Sequence, residues 1–454
     1  MHCGGAYHLG GPISGGSLSA TPESPGIDAS AVDALREERL DWRFKGVPAE
    51  AFGRTAGEFL SGRPRLFDAG FVGPLLVLDD SALTHNLATM ARWCERHGVL
   101  LAPHGKTTMA PQLFRRQLDH GAWGVTAANI SQLRVYRAFG VRRVLLANQL
   151  LDPAGLAWLA GELDRDPEFE VSCWVDSVDG VRLMTEALAG RGSRPLDVLV
   201  ELGWEGARTG VRSVAEAVEV ARAVAESPAL RLAGVGGYEG AAAHGTAAAA
   251  LSTVDDYMAR MREVVGELAR AELFGEVQRI IVTGGGSAYF DQVAEAFAAA
   301  WPTAKPVDPV LRSGAYVTHD DGLYRRNSPF GRPHRLAGEE SPFRPAMRIW
   351  AQVTSRPEPG LALVTMGRRD VSFDQDLPEP QVHRGSDGVV RELPGCKVTS
   401  LADQHAFLAV DEPGPRIGEW VGFGLSHPCT VFDKWPLIPV VDGEEVVDLV
   451  RTFF

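Results

Sequence analysis

No run of apolar residues in this sequence comes near the ~20 that a membrane-spanning helix requires, so no such span is expected. Positive charge is in short supply as well: 45 Lys and Arg stand against 58 Asp and Glu, a formal net charge of −13. That balance argues against nucleic acid or an anionic membrane surface as a partner, because both attract basic patches. Cysteine is scarce, odd in number and scattered, at Cys3, Cys94, Cys173, Cys396 and Cys429. Such usage suits reduced thiols in a cytoplasm and not a disulfide framework. The first residues, Met1 to Pro25, have no apolar h-region, so a signal peptide is not expected. What remains is a soluble globular composition, 45% hydrophobic and 23% charged, in a chain long enough for two domains.

Residues 1–28 are rich in Gly and Ser and read as a disordered arm. His2, Cys3 and His8 are close enough in sequence to touch one metal, but no apolar periodicity holds them in place. Residues 29–70 carry two short helical patterns that form an extension. A strand is expected at Leu75–Leu78, then Asp79-Asp80-Ser81 as a helix N-cap region and an amphipathic helix from Ala82 to Arg96, stopped at Gly98.

From there apolar runs recur near 99–102, 123–127, 143–147, 169–175, 196–202, 231–237, 278–283 and 308–311. Segments of helical spacing separate nearly all of them, for example Ile130–Phe139 and Val214–Ala225. Eight βα units of this kind predict a (β/α)8 TIM-type barrel in the α/β class, placed at 71–325. Beyond a Pro- and Gly-containing stretch at 325–345, short runs with turn signals predict a mainly antiparallel β domain at 326–454.

Three clusters carry possible chemistry. The first, Pro103-His104-Gly105-Lys106-Thr107, ends the first barrel strand. Active sites of parallel α/β folds sit at such strand ends, and a lysine buried there loses part of its affinity for a proton, which frees a nucleophilic amine. A surface lysine in a loop is the competing reading. The same barrel face receives Ile280-Ile281-Val282-Thr283-Gly284-Gly285-Gly286-Ser287 after the seventh barrel strand. Glycines there let backbone N–H groups approach an anion, and barrels often hold a phosphate at that position. A tight turn is the bland alternative. Arg208, in the loop after the fifth strand, and Tyr238, ending the sixth, are either ligand contacts or rim residues, Arg208 alternatively pairing with Glu201 or Glu205.

The third cluster is Ser426-His427-Pro428-Cys429-Thr430 in the β domain. In an extended segment, residues two apart share a face, so His427 and Cys429 would present an imidazole and a thiolate together, a donor pair suited to zinc. Two protein ligands leave positions for water or substrate, which fits a catalytic metal better than a structural one.

In this order and spacing the motifs resemble those of the fold-type III pyridoxal-phosphate enzymes, specifically the D-serine dehydratase and D-threonine aldolase family, with an alanine racemase-like barrel. The matching stretches are Pro103-His104-Gly105-Lys106-Thr107, Thr283-Gly284-Gly285-Gly286-Ser287, Arg312-Ser313-Gly314-Ala315-Tyr316-Val317 and His427-Pro428-Cys429-Thr430. The resemblance implies that Lys106 carries pyridoxal 5'-phosphate covalently and that Gly284, Gly285, Gly286 and Ser287 cradle its phosphate. His104, Arg208, Tyr238 and Tyr316 would complete the cofactor site, and His427 and Cys429 would bind a divalent metal, zinc in the dehydratases. Gln404 and His405 would touch substrate. They lie where relatives often carry Ser-Glu-Glu-His-Gly and this chain has Leu401-Ala402-Asp403-Gln404-His405-Ala406, and Ala315 stands where asparagine is common. The implied activity is dehydration and deamination of a β-hydroxy D-amino acid such as D-serine to a keto acid and ammonia. Retro-aldol cleavage to glycine and an aldehyde is the alternative, and a non-catalytic pyridoxal-phosphate carrier is a third reading. Relatives are homodimers in which one subunit's β domain faces the other's barrel, so Lys106 and the His427–Cys429 pair are expected to meet between subunits.

Overall fold

The computed structural model of the chain describes residues 26–332, 336, 341–411 and 413–454. The expectations for His2, Cys3 and His8, and nearly all of the N-terminal arm, lie outside these residues. The first strand, β1 (Leu75–Asp79), runs into a helix over Asp80–His97. Asp79 caps that helix by accepting the Ala82 N–H at 2.7 Å, and Gly98 ends it in the left-handed region at φ 62°.

Eight parallel strands follow: β2 (Leu100–Leu101), β3 (Val125–Ala127), β4 (Arg143–Gln149), β5 (Glu170–Val175), β6 (Leu196–Leu202), β7 (Leu230–Gly237), β8 (Ile280–Gly284) and β9 (Val307–Leu311). Each neighbours the next in sequence from β3 to β9, and β9 also pairs with β2. A parallel bridge between His104 and Thr126, with the Trp123 N–H donating to the Leu101 carbonyl at 2.7 Å, joins β2 to β3 and curls the sheet into the expected barrel. The strands are buried on both faces, which is why they read as nearly unbroken apolar runs. Alternation sorts their side chains: Val144 and Leu146 join the main core, whereas Leu145 joins Ala102 and Val310 in a separate small cluster. Among the described residues, no helix is long and apolar enough to cross a membrane.

The remaining strands are β10 (Met347–Glu358), β11 (Leu361–Val364), β12 (Glu379–Arg384), β13 (Val390–Glu392), β14 (Cys396–Leu401), β15 (Ala406–Val410), β16 (Trp420–Gly424), β17 (Leu437–Asp442) and β18 (Glu445–Arg451). They pair mainly antiparallel. One strand from before the barrel joins them. β1, inside the stretch expected to build the barrel, lies instead between β10 and β17, antiparallel to the first and parallel to the second. The extension seen as short helices at Ala29–Asp33 and Ala56–Ser61 docks on the last hairpin, where Arg65 pairs with Glu444 at 2.6 Å and Arg451 with Glu38 at 3.0 Å.

The end of the barrel is tied to the β domain by Asp321. Its N–H donates to the Leu425 carbonyl at 2.8 Å and its carboxylate accepts the Gln381 amide at 2.8 Å. Burial pushes the Asp321 pKa up to about 6 from its ordinary 3.8, against the lowering effect of Gln381. The folded chain therefore holds a proton between pH 3.8 and about 6 that the unfolded chain releases, so this group subtracts stability as pH rises through that window. Asp321→Asn keeps an acceptor for Gln381. It is expected to stabilise the fold at pH 8 by up to about 3 kcal/mol relative to the parent, a difference that vanishes near pH 4. Chemical denaturation at the two pH values checks this, and an equal effect at both would contradict it.

Candidate active site

A cleft of about 460 Å³ opens at the carboxyl ends of the barrel strands. Lys106 projects into it from the turn after β2, and Tyr238, Ser287 and Arg312 reach it from the segments after β7, β8 and β9. The far wall comes from the β domain, where His427 and Cys429 line the same cleft. Thr107 Oγ1 lies 3.5 Å from the Cys429 sulfur. The lysine and the His–Cys pair thus meet within one chain, contrary to the expectation that they meet only between subunits. The sequence could not reveal this, because 320 residues separate the two motifs and only the tertiary fold brings them together.

Burial and charge set the protonation of this wall. Lys106 has its pKa lowered, first by burial and further by the cations Arg208 and Arg312, while the Cys429 sulfur opposes them. His104 is held well below the usual histidine range by burial, with Lys106, Arg312 and Arg208 adding to it, so its imidazole is neutral. The Arg208 guanidinium lies 4.9 Å from the centre of the Tyr238 ring. Burial pushes the Tyr238 phenol up to about 12. Glu201, at the end of β6, also lines the cleft; burial raises its pKa, against the Gln149 amide that donates to it at 2.7 Å.

The glycine loop after β8 is packed on both sides. Gly285 has φ +83°, and a Cβ on Gly286 would fall 2.6 Å from the Tyr238 ring. Facing it after β9, a Cβ on Gly314 would fall 2.6 Å from the His104 carbonyl. Ser287 Oγ accepts the Ala315 N–H at 3.3 Å and so joins the two loops. Two buried polar atoms here, His104 Nδ1 and Arg312 Nε, find no partner among the described residues. Arg312 otherwise donates to Thr283 Oγ1 at 2.7 Å and to the Gly237 carbonyl. Unpaired buried donors and acceptors beside a close-approach loop, in front of a lysine of lowered pKa, fit a group that carries a phosphate and a polar ring.

On the opposite wall His427 takes a backbone conformation that L-residues rarely adopt, φ 59° and ψ 83°. Asp320 holds it there, one carboxylate oxygen accepting the His427 N–H at 2.8 Å and the other the Tyr324 N–H at 2.8 Å. His427 Nδ1 is 2.5 Å from Asp374 Oδ2, and Thr430 donates to the other oxygen of Asp374 at 2.7 Å. The neighbouring Cys429 sulfur and then Asp374 push the His427 pKa up to about 9, against burial. A carboxylate on one ring nitrogen leaves the other to face a metal, the usual arrangement of a ligating histidine. Among the described residues no three His, Cys, Asp or Glu side chains gather into a fuller ligand set.

Several residues singled out in the sequence stand elsewhere. Tyr316 is buried outside the cleft lining, its hydroxyl 3.4 Å from Gln117 Nε2. Gly284 ends β8 and does not reach the cleft surface. Gln404 and His405 lie on the exposed turn between β14 and β15, outside the cleft of their own chain. Gly285 and Gly286 direct their N–H groups onto Glu239. Conversely, Trp174, Glu201, Arg312 and Tyr324 line the cleft without having been assigned a role; single aromatic and charged residues at strand ends carry no spacing signal. Asp374 and Asp320 act on His427 from loops 53 and 107 positions away.

Two family descriptions match this chain: "Alanine racemase, N-terminal domain" over residues 78–296 and "Putative serine dehydratase domain" over residues 346–441. In both stretches the chain is similar to the alanine racemase-like, fold-type III pyridoxal-phosphate enzymes. Among similar proteins, D-threonine aldolase of Arthrobacter sp is 29% identical over 83% of this chain and 90% of that protein. The crystal structure of D-threonine aldolase from Filomicrobium marinum superposes with a TM-score of 0.68 at 27% identity, covering 84% of this chain and 95% of that one. D-threo-3-hydroxyaspartate dehydratase from Delftia sp. HT23 shares the fold, with a TM-score of 0.65 at 22% identity over 84% of this chain and 98% of that one. All three of these similar proteins are named for D-amino acid substrates.

Proposed function

We propose that this chain is a pyridoxal-phosphate- and metal-dependent dehydratase that converts a β-hydroxy D-amino acid, such as D-serine, to a keto acid and ammonia. One observation carries the reading: Lys106 and the His427–Cys429 pair line one cleft. A proton acceptor for Cα and a donor pair for a metal near the β-hydroxyl thereby face the same substrate. Lys106 would carry the cofactor through Nζ and, once displaced by the substrate amine, take the proton from Cα; its lowered pKa favours the neutral amine that this needs. Ser287 and the neighbouring backbone N–H groups would hold the phosphate, with Arg208 and Tyr238 beside the ring. His427 and Cys429 would hold a divalent ion, zinc by the chemistry of the donors. When bound, the cofactor supplies a sink for the electron pair left on Cα and the metal supplies a Lewis acid for the β-hydroxyl.

Asp374 would fix the His427 ring toward that ion. Asp374→Asn is expected to weaken metal retention by about 10–100-fold, read as metal content after dialysis against graded chelator. Retention equal to that of the parent would remove Asp374 from this role.

A second reading has its own support, since the D-threonine aldolases are 27–29% identical to this chain. In it the β-hydroxyl loses its proton and the Cα–Cβ bond breaks. Incubation with D-serine, D-threonine and 3-hydroxy-D-aspartate separates the two. Keto acid with ammonia establishes the dehydratase; glycine with an aldehyde establishes the aldolase and overturns the first proposal.

A further inference from the structure

The glycine loop expected to meet a phosphate with its own N–H groups uses two of them internally. Gly285 N–H donates to Glu239 Oε2 at 3.0 Å and Gly286 N–H to Glu239 Oε1 at 2.6 Å. Glu239 follows Tyr238, is wholly buried, and does not line the cleft, whereas Gly286, Ser287 and Gly314 do. The side chain therefore grips the loop from behind. The opposite edge is gripped too: the Gly285 carbonyl accepts from Ser313 Oγ at 3.0 Å and from the Arg312 N–H at 3.2 Å. With Gly285 in the left-handed region, the loop has no side chain of its own to hold this shape. The N–H groups of Ser287 and Gly314, at the cleft surface, donate to no partner among the described residues.

We infer that Glu239 is a positioning residue for the phosphate end of the cofactor, a carboxylate brace that turns the Ser287 and Gly314 N–H groups toward the cleft. The inference rests on the assignment of the cofactor phosphate to this loop. A brace would act chiefly on phosphate recognition, because Lys106 and Arg208, which would hold the rest of the cofactor, stand on other segments. A carboxylate that merely filled the phosphate seat would compete with the ligand, and its removal would tighten binding. In Glu239→Gln one glycine N–H faces an amide N–H instead of an acceptor, so one hydrogen bond is lost and the other loses its charge assistance, while size is preserved.

The test measures the affinity of the full chain, freed of cofactor, for pyridoxal 5'-phosphate and for pyridoxal, by the visible absorption of the bound ligand. Glu239→Gln is expected to bind the phosphorylated form about 10–100-fold more weakly, the scale of losing charge-assisted hydrogen bonds, with the pyridoxal affinity nearly unchanged. Glu239→Asp, one methylene short, is expected to give a smaller loss of the same selectivity, and it carries the test if the glutamine variant does not fold. Unchanged or tighter binding of the phosphorylated form overturns the brace, and so does an equal loss for both ligands. A parent chain that fails to prefer the phosphorylated form overturns instead the assignment of phosphate to this loop.

Discussion

Lys106→Ala is expected to lose the visible absorption of the bound cofactor, together with its bleaching by borohydride, and to lower turnover by about 10⁴-fold, the upper range for a positioned proton acceptor. Two proposed roles converge on one atom, Nζ: it would carry the cofactor and it would move the Cα proton. Arginine at this position would keep the charge and lose both. The electrostatics add a signed prediction. Covalent loading of the cofactor requires the neutral amine, so its rate falls as pH drops through the Lys106 pKa, which burial has already moved below the ordinary 10.5. Arg208 lowers that pKa and Cys429 raises it. Arg208→Leu is therefore expected to move the acid limb of the loading rate to higher pH, and Cys429→Ala to move it to lower pH. Stopped-flow loading across pH checks both. Normal turnover by Lys106→Ala, or shifts of the opposite sign in the other two, would contradict the assignment of this lysine.

How much of this was legible follows from which interactions are local. The barrel strands are buried on both faces, so each announces itself as an apolar run, and the motif holding Lys106 is five consecutive residues. The helix after β1 was equally plain, since its cap, Asp79, and its stop, Gly98, are adjacent to it in sequence. β1 itself was readable as a strand but not as a member of the second sheet, because its partners, Trp350 opposite Leu75 and Val440 opposite Leu78, lie some 270 and 360 positions on. The three strands β12, β13 and β18 carry many polar or exposed residues, so the apolar pattern that marked the others is missing.

The site divides along the same line. Lys106, Arg208, Tyr238 and Ser287 could be placed because strand ends of a parallel barrel all point to one rim. Tyr316 shares a short motif with Arg312 and Gly314 yet points into the core, since the turn over Ala315–Val317 rotates successive side chains to different faces. Glycine spacing identified the loop after β8 but not which N–H groups remain free, as that depends on Glu239, 46 positions earlier. The His–X–Cys pair was visible; the carboxylates that hold His427 were not. A positive φ at a non-glycine residue also leaves no mark in the sequence.

That pair is the basis of the last prediction. His427→Ala and Cys429→Ala are each expected to reduce bound metal from about one ion per chain to a small fraction of that, since loss of one of two protein ligands leaves a single anchoring bond. Turnover is expected to fall with metal content by about 10³-fold or more, the scale on which a Lewis acid assists a poor leaving group. The cofactor's absorption should persist in both variants, because Lys106, Ser287 and the Arg208–Tyr238 pair lie on the barrel side of the cleft. A chelator applied to the parent chain should reproduce the variants, and added zinc should rescue the chelated parent far better than either variant. Exchange of the Cα proton with solvent deuterium gives the finer discrimination. In the proposed mechanism it would depend on Lys106 Nζ and not on the β-hydroxyl, so it is expected to survive chelation and to vanish in Lys106→Ala. His427 and Cys429 as packing residues alone predict a different set of results: no stoichiometric metal, and turnover indifferent to chelation. That pair of outcomes would remove the metal from the proposal and leave the lysine and its cofactor in place.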